Sequence, residues 1–378
     1  MARRIVTFVS ILLFAAGAPI PALGDTCNQM SFLARPIPMG VSGGNIGLFE
    51  KSGGCCTGTL GSLVQNSTGT KRYILSNNHV LARTNKAPIG SKVVQPGLGD
   101  NSCIRDAADS VGNLSSFAPI RFSSGSSNTV DAAVAITSSS RASADILNIG
   151  AISETPVAAA LDMAVQKMGR TTCRTFATVS GIDASIMVGY PGSCRSGSGT
   201  ALFINQILID DDDGPFSAGG DSGSLVVTDE ECPRAVGLLF AGGGTLTVAN
   251  PIGSVLTRFK KKMVGGCTAP TGGVEPLTEN DAAMAVAGGG SPTAPTGGSG
   301  ASQQAAVNAA SAVKSRHDKE LFFVPGAVGT AIGRSKQTGQ IVIKLYLEKE
   351  TAAARAATPS EIEGVPVEIE VTGPIVAY

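Results

Sequence analysis

Over about residues 35–256 the apolar residues come in short runs, many alternating with polar ones, and Gly, Asn or Ser breaks each run: "TGTLGSLVQ", "RYILSNN", "KVVQPG", "DAAVAI", "MAVQKMG", "FATVSGIDASIMVGY", "LFINQILI", "SLVVT" and "AVGLLFAGG". Alternation of period two, bounded by turn residues and repeated many times, predicts an antiparallel all-β domain of sandwich or barrel type. One helix is expected to close it, in "PIGSVLTRFKKKM". There Pro251 stands in the first turn, Ile252, Leu256 and Phe259 share a face, and the lysines at 260–262 fall in the last turn, where the dipole favours cations.

After Cys267 the pattern stops. The stretch "TAPTGGVEPLTEN" and then "AGGGSPTAPTGGSGASQQ" holds too little apolar surface to fold, so 269–308 reads as a flexible linker rich in Gly, Pro, Ser and Thr. Beyond it "LFFVPGAVGTAIG", "GQIVIKLYLEK", "TAAARAATPSEI" and "VPVEIEVTGPIVAY" predict strand, strand, short helix and strand, a small α+β domain at 309–378. At the other end Arg3 and Arg4 precede a short apolar run and a small-residue site near Gly24, so 1–24 reads as a secretory signal peptide and 25–268 as the main domain. The run is too short for a bilayer span, so no stable membrane insertion is expected after signal cleavage, and the product is secreted or periplasmic.

Composition narrows the partners. Acidic and basic residues are equal in number, 29 each, which argues against a polyanion such as nucleic acid as the target. Eight cysteines in an exported chain, with no C-x-x-C pair, point to disulfides rather than a metal site. Only Cys173 with Cys194 reads as a local loop closure, and the other pairings are left open.

Three segments carry candidate chemistry. His79, one of two histidines, ends the apolar run "RYILSNNHV"; Asp131 opens the otherwise apolar "DAAVAI", where a carboxylate needs a partner; Ser222 lies in "GGDSGS" between Gly220 and Gly223. Singly, each could be a strand-end or turn residue. Together, in the order His, Asp, Ser on an exported all-β chain, they match one of the known orders of a nucleophilic triad.

With "LSNNHV", "TVDAAVA" and "GGDSGSLVV", the chain resembles the chymotrypsin-fold (trypsin-like) serine peptidases over about residues 35–262. The phrases "ILSNNHVLAR", "MGRTT", "NQI" and "VGLLFAGG" resemble most a bacterial group related to the plant narrow-leaf-type proteases and to the high-temperature-requirement proteases. The resemblance implies two six-stranded antiparallel β-barrels with the active site between them. It implies a serine endopeptidase in which Ser222 attacks a peptide carbonyl, His79 moves the proton and Asp131 orients the imidazole, without metal or organic cofactor. The main-chain N–H groups of Gly220 and Ser222 are the implied oxyanion hole. The position six before the serine is Phe216, so an apolar or small P1 residue is expected, with Phe240, Ala241 and Gly242 along the substrate. Asn78 and Val80 flank His79 where the digestive branch has a small residue and a cysteine. Signal cleavage would expose Asp25 rather than the Ile or Val that pairs there with the aspartate matching Asp221, so activation by that route is not expected.

The remaining features read as structural. The acidic run at 211–213 is a solvated loop more readily than a Ca²⁺ or substrate site, His317 with Asp318 is a solvated pair, and the lysines at 260–262 cap a helix. The partners expected are protein or peptide substrates. For the small C-terminal domain the sequence leaves targeting, substrate capture and occupation of the cleft open. A second function class stays open too, a catalytically inactive binding or adhesion protein on a peptidase scaffold.

Overall fold

The computed structural model describes residues 27–49, 54–192, 196–210, 214–268 and 299–378, with the side chains of 299–302 excepted. The expected signal peptide, the acidic run at 211–213, Cys194 and most of the expected linker lie outside these residues.

The chain is mostly β and builds two large sheets. The first has eight strands in an open path, from Lys261–Met263 through Ser62–Asn66, Arg72–Ser76, Ala133–Thr137, Ser110–Phe117, Lys92–Val94 and Val41–Asn45 to Gly58–Leu60. The second has twelve strands. Within it Cys173–Pro191 pairs with both Ala164–Gly169 and Ser198–Asp210, so these three close a ring with Leu225–Thr228, Ala235–Gly243 and Leu246–Pro251. Two closed six-stranded barrels are therefore not what forms: one ring closes and the other assembly stays open.

A second departure starts from one long strand. Cys173–Pro191 is 19 residues long and its register with Ser198–Asp210 shifts repeatedly between Val179 and Ile186, with Asp183 at φ 51°. Such bulges bend a strand and free its other edge. That edge takes Ala327–Arg334, pairing Gly181 with Gly333 and Ile186 with Gly329, and the sheet then runs on through Ile341–Leu347 and Val365–Val371 to Glu361–Ile362. The C-terminal part is thus hydrogen-bonded into the wall of the ring. Its core holds Val307, Val313, Leu321, Ile343 and Leu345, against which Leu161 and Ile182 also pack, while Ala331 and Tyr346 pack with Phe203, Phe240 and Val188 of the ring.

Two local expectations change. The helix Ser299–Leu321 begins inside the stretch expected to be linker, since an Ala-rich segment has helix propensity without a strong apolar stripe. The closing helix is Ile252–Phe259, with Pro251 as its N-cap. Lys260 turns left-handed at φ 52°, and Lys261–Met263 joins the edge of the first sheet, so the lysines do not form a last turn.

Three disulfides are described: Cys27–Cys173, Cys55–Cys103 and Cys232–Cys267. Cys173 therefore does not close a loop with Cys194. Cys56 is disulfide-bonded as well. Among the described residues no helix is long and apolar enough to cross a membrane.

Candidate active site

The site lies where the two sheets meet. The strand Arg72–Ser76 runs into a one-turn helix, Asn78–Leu81, which carries His79, and Asp131 precedes the neighbouring strand Ala133–Thr137. Ser222 precedes Leu225–Thr228 of the second sheet, and its carbonyl accepts from Thr59 N of the first at 2.8 Å.

Asp131 is fully buried, which is costly for a carboxylate unless its oxygens are bonded. They are. Oδ1 accepts from the His79 main-chain N–H at 3.2 Å, and Oδ2 faces His79 Nδ1 at 2.6 Å and accepts from the Tyr190 hydroxyl at 2.8 Å. Burial, together with the Asp131 charge, holds the Tyr190 phenol well above its ordinary value, so it stays a donor. The Asp131 main chain is fixed from both sides, its N–H by Asn250 Oδ1 at 2.9 Å and its carbonyl by Asn77 Nδ2 at 2.8 Å. Asn250 in turn donates to Gln206 Oε1 at 2.6 Å.

Ser222 is also fully buried, in a turn that only glycine can make on either side. Gly220 and Gly223 have φ of 99° and 98°, and a Cβ on Gly223 would sit 2.2 Å from Thr59 O. Ser222 Oγ donates to the Phe240 carbonyl at 3.0 Å and not to His79. The main-chain N–H groups of Gly220 and Ser222 have no acceptor among the described residues, which leaves both available to an oxygen arriving in the cleft.

Asp221 anchors this turn. Its carboxylate accepts from Thr171 N at 2.7 Å, Thr172 Oγ1 at 2.8 Å and Ala218 N at 2.9 Å, and Lys167 Nζ lies 3.7 Å away. Burial pulls the Lys167 ammonium down to about 8, against the upward pull of Asp221. Lys167 donates to Thr172 Oγ1 and to Cys173 O, so "MGRTT" presents donors to the aspartate from one strand end. A buried lysine side chain therefore stands beside Asp221.

The C-terminal strand enters the same cleft. Val376–Ala377 pairs antiparallel with Ala235–Gly243, matching Ala377 to Ala241 and Val376 to Gly242. Tyr378 N–H approaches the Phe240 carbonyl at 3.4 Å, and its main-chain oxygen lies 2.9 Å from His79 Nε2. One residue thus touches His79 and shares the Phe240 carbonyl with Ser222. Phe216 is fully buried beneath, in a cluster with Val226 and Leu239 against which Tyr378 packs.

The sequence singled out His79, Asp131, Ser222, Gly220, Phe216, Phe240, Ala241 and Gly242; the first four lie where the sheets meet, the strand of Phe240, Ala241 and Gly242 pairs with Val376–Ala377, and Phe216 is buried beneath Tyr378. It missed Tyr190, Lys167, Asn250 and Tyr378. Tyr190 is one of only four tyrosines, and Lys167 interrupts an apolar run; those were the only signals. His317 lies apart, between Glu320 and Glu363 at 2.9 and 2.8 Å. Asp318 is not a solvated partner, because it bonds Ser185 Oγ at 2.5 Å and Thr330, tying the long helix to the sheet. Among the described residues no group of three or more His, Cys, Asp or Glu could hold a metal ion.

No family model matches the chain, and no curated protein matches it. Solved structures that are similar include Thermobifida fusca protease A, 19% identical, with 61% of this chain and 99% of that chain covered and a TM-score of 0.40. A glutamic acid-specific serine protease with a histidine triad in substrate binding is 17% identical, over 60% of this chain and all of its own, with a TM-score of 0.40. The Nocardiopsis protease is 16% identical over 55% of this chain and 93% of its own, with a TM-score of 0.37. Likenesses this weak carry no argument, and the chemistry of the cleft is argued from its own residues.

Proposed function

We propose that the protein is a serine endopeptidase of chymotrypsin type. The observation that carries this reading is the pairing of His79 with a buried, doubly bonded Asp131 on one side of Tyr378 and Ser222 on the other. Ser222 Oγ attacks the carbonyl carbon of the substrate while His79 Nε2 takes its proton. Breakdown of the tetrahedral intermediate breaks the C–N bond, and the same proton goes to the leaving amine. Water then attacks the acyl-enzyme, with His79 again as base, and Ser222 is regenerated. Asp131 holds Nδ1–H and opposes the positive charge that develops on the ring. The N–H groups of Gly220 and Ser222 bond the oxyanion, where loss of one such donor costs about 10²–10³ in turnover.

The narrower likeness to the bacterial relatives of the narrow-leaf-type and high-temperature-requirement proteases rests on the sequence phrases alone. So do export by a cleaved signal peptide and the division into peptidase domain, linker and small domain. A serine-directed phosphonate tests the central reading: label is expected on the wild-type protein and none on Ser222→Ala. Absence of label from every form with Ser222 intact would favour the inactive binding protein instead.

A further inference from the structure

We infer that the chain carries its own occupant of the cleft, with residues 375–378 lying in the place of the acyl side of a substrate and Tyr378 filling the side-chain pocket, so that the enzyme is self-restrained and prefers substrates with tyrosine at P1. This deepens the proposed peptidase function and rests on it.

The main-chain pairing is of the kind by which an extended peptide is added to a sheet edge. Besides the pairs with Ala241 and Gly242, Ile375 O accepts from Gly189 N at 2.9 Å, so the tail is held on both sides by two walls of the cleft. Gly242 and Gly243 are bare because the tail passes over them. A Cβ on Gly242 would meet the Tyr378 hydroxyl at 2.1 Å, and one on Gly243 would meet Pro374 O at 2.4 Å.

The side chain of Tyr378 has a built receptacle. Its ring packs on the cluster that holds Phe216, and its hydroxyl lies over Gly242. An apolar floor of Phe216, Val226 and Leu239 suits an aromatic ring better than a small apolar side chain, which would leave space. It offers no carboxylate in bonding contact with that hydroxyl. A space of about 320 Å³ adjoins Tyr378, lined by Cys55, Thr57, Arg170, Gly219 and Gly220.

The tether makes this occupant effective. Thr372 N–H bonds Leu347 O at 3.0 Å, so only the last few residues are held by the cleft rather than by the small domain's own strands. A ligand on so short a tether has an effective concentration on the order of mM, enough to compete with substrates of ordinary KM.

The test uses the full chain and two substitutions that leave the triad intact. Tyr378→Ala empties the pocket, and Val376→Pro blocks the strand pairing. Both are expected to react with a tyrosine phosphonate at least about tenfold faster than wild type; equal rates in all three, with labelling dependent on Ser222, would overturn self-restraint and leave the peptidase reading standing. Binding is read separately from chemistry, on Tyr378→Ala combined with Ser222→Ala. An acetylated Pro-Ile-Val-Ala-Tyr peptide is expected to bind at least about tenfold tighter than its Ala-ended counterpart, and equal affinities would overturn the tyrosine pocket. If no form is labelled, the peptidase reading fails while the binding comparison still decides the occupancy.

Discussion

The hydroxyl of Tyr190 donates to Asp131 Oδ2, the oxygen that also faces His79 Nδ1. The two bonds, 2.8 and 2.6 Å long, come from different parts of the chain, since Tyr190 lies on the long strand of the ring and His79 on the first assembly. Tyr190 therefore positions the carboxylate on which the histidine depends, and its ring stacks edge-on to His79 with centroids 6.1 Å apart.

Tyr190→Phe keeps the ring and removes the donor. A hydrogen bond to a charged group is worth about 1.5–3 kcal/mol, so denaturant unfolding should show a loss in that range. Peptide hydrolysis should fall through kcat with KM little changed, whereas a purely structural loss would lower the active fraction and leave kcat per labelled site intact.

Asp131→Asn leaves a group of nearly the same size between His79 and Tyr190 but alters which tautomer of the ring is favoured. In triads of this kind the change costs about 10⁴ in kcat, and active-site titration alongside a rate assay measures it here. Retention of more than a tenth of wild-type kcat would exclude Asp131 as the orienting residue.

Lys167→Met strips a buried carboxylate of its nearest cation. Removing one partner of a buried pair typically costs about 3–5 kcal/mol, to be read from denaturant midpoints at constant slope. The pH dependence has a definite sign. Burial depresses the lysine from 10.5 to about 8, so between these values the unfolded chain binds the proton that the folded protein has released. Stability contributed by this group therefore rises with pH across that window. The slope of unfolding free energy against pH should accordingly be more positive for wild type than for Lys167→Met, and identical slopes would show that Lys167 titrates normally.

Cys27→Ala with Cys173→Ala unties the N-terminal segment from the strand end that presents Thr171 and Thr172 to Asp221. Loss of a native disulfide costs about 2–5 kcal/mol. Gln29 Nε2 also bonds Arg170 O at 2.9 Å, so the untied segment keeps one attachment, and thermal unfolding should move to lower temperature without loss of the cooperative transition.

His79, Asp131 and Ser222 were legible as candidates because each sits in a local pattern that stands out: a polar turn after an apolar run for His79, a lone carboxylate in an apolar strand for Asp131, glycines on both sides of Ser222. Their order along the chain did the rest. Tyr190 was not legible, since its partner is 59 residues away and nothing in "IMVGY" distinguishes a tyrosine whose hydroxyl points at a carboxylate from one that packs. Lys167 and Asp221 meet only after two strands pair. The β character was readable from alternation, but not the topology, because the edge of Cys173–Pro191 that receives Ala327–Arg334 looks, residue by residue, like any half-buried strand. The helix Ser299–Leu321 was hidden by its composition: Val307, Ala310, Val313 and Leu321 face the core, too sparse a stripe to stand out beside Gly and Ser.

The shared sheet also decides what a cut chain would do. A module on a hinge can be swung away or shed, but here Gly181 through Ile186 pair with Gly329 through Gly333, and Ala331 and Tyr346 are buried among ring residues. A break in the chain between Cys267 and Ser299 would thus yield two fragments that stay together as one folded body. Discarding the second fragment would expose a long unpaired strand edge, a template for aggregation. Residues 375–378, held only by the cleft in the proposed self-restrained form, would leave it by fraying, a motion of nanoseconds to microseconds, without departure of a domain.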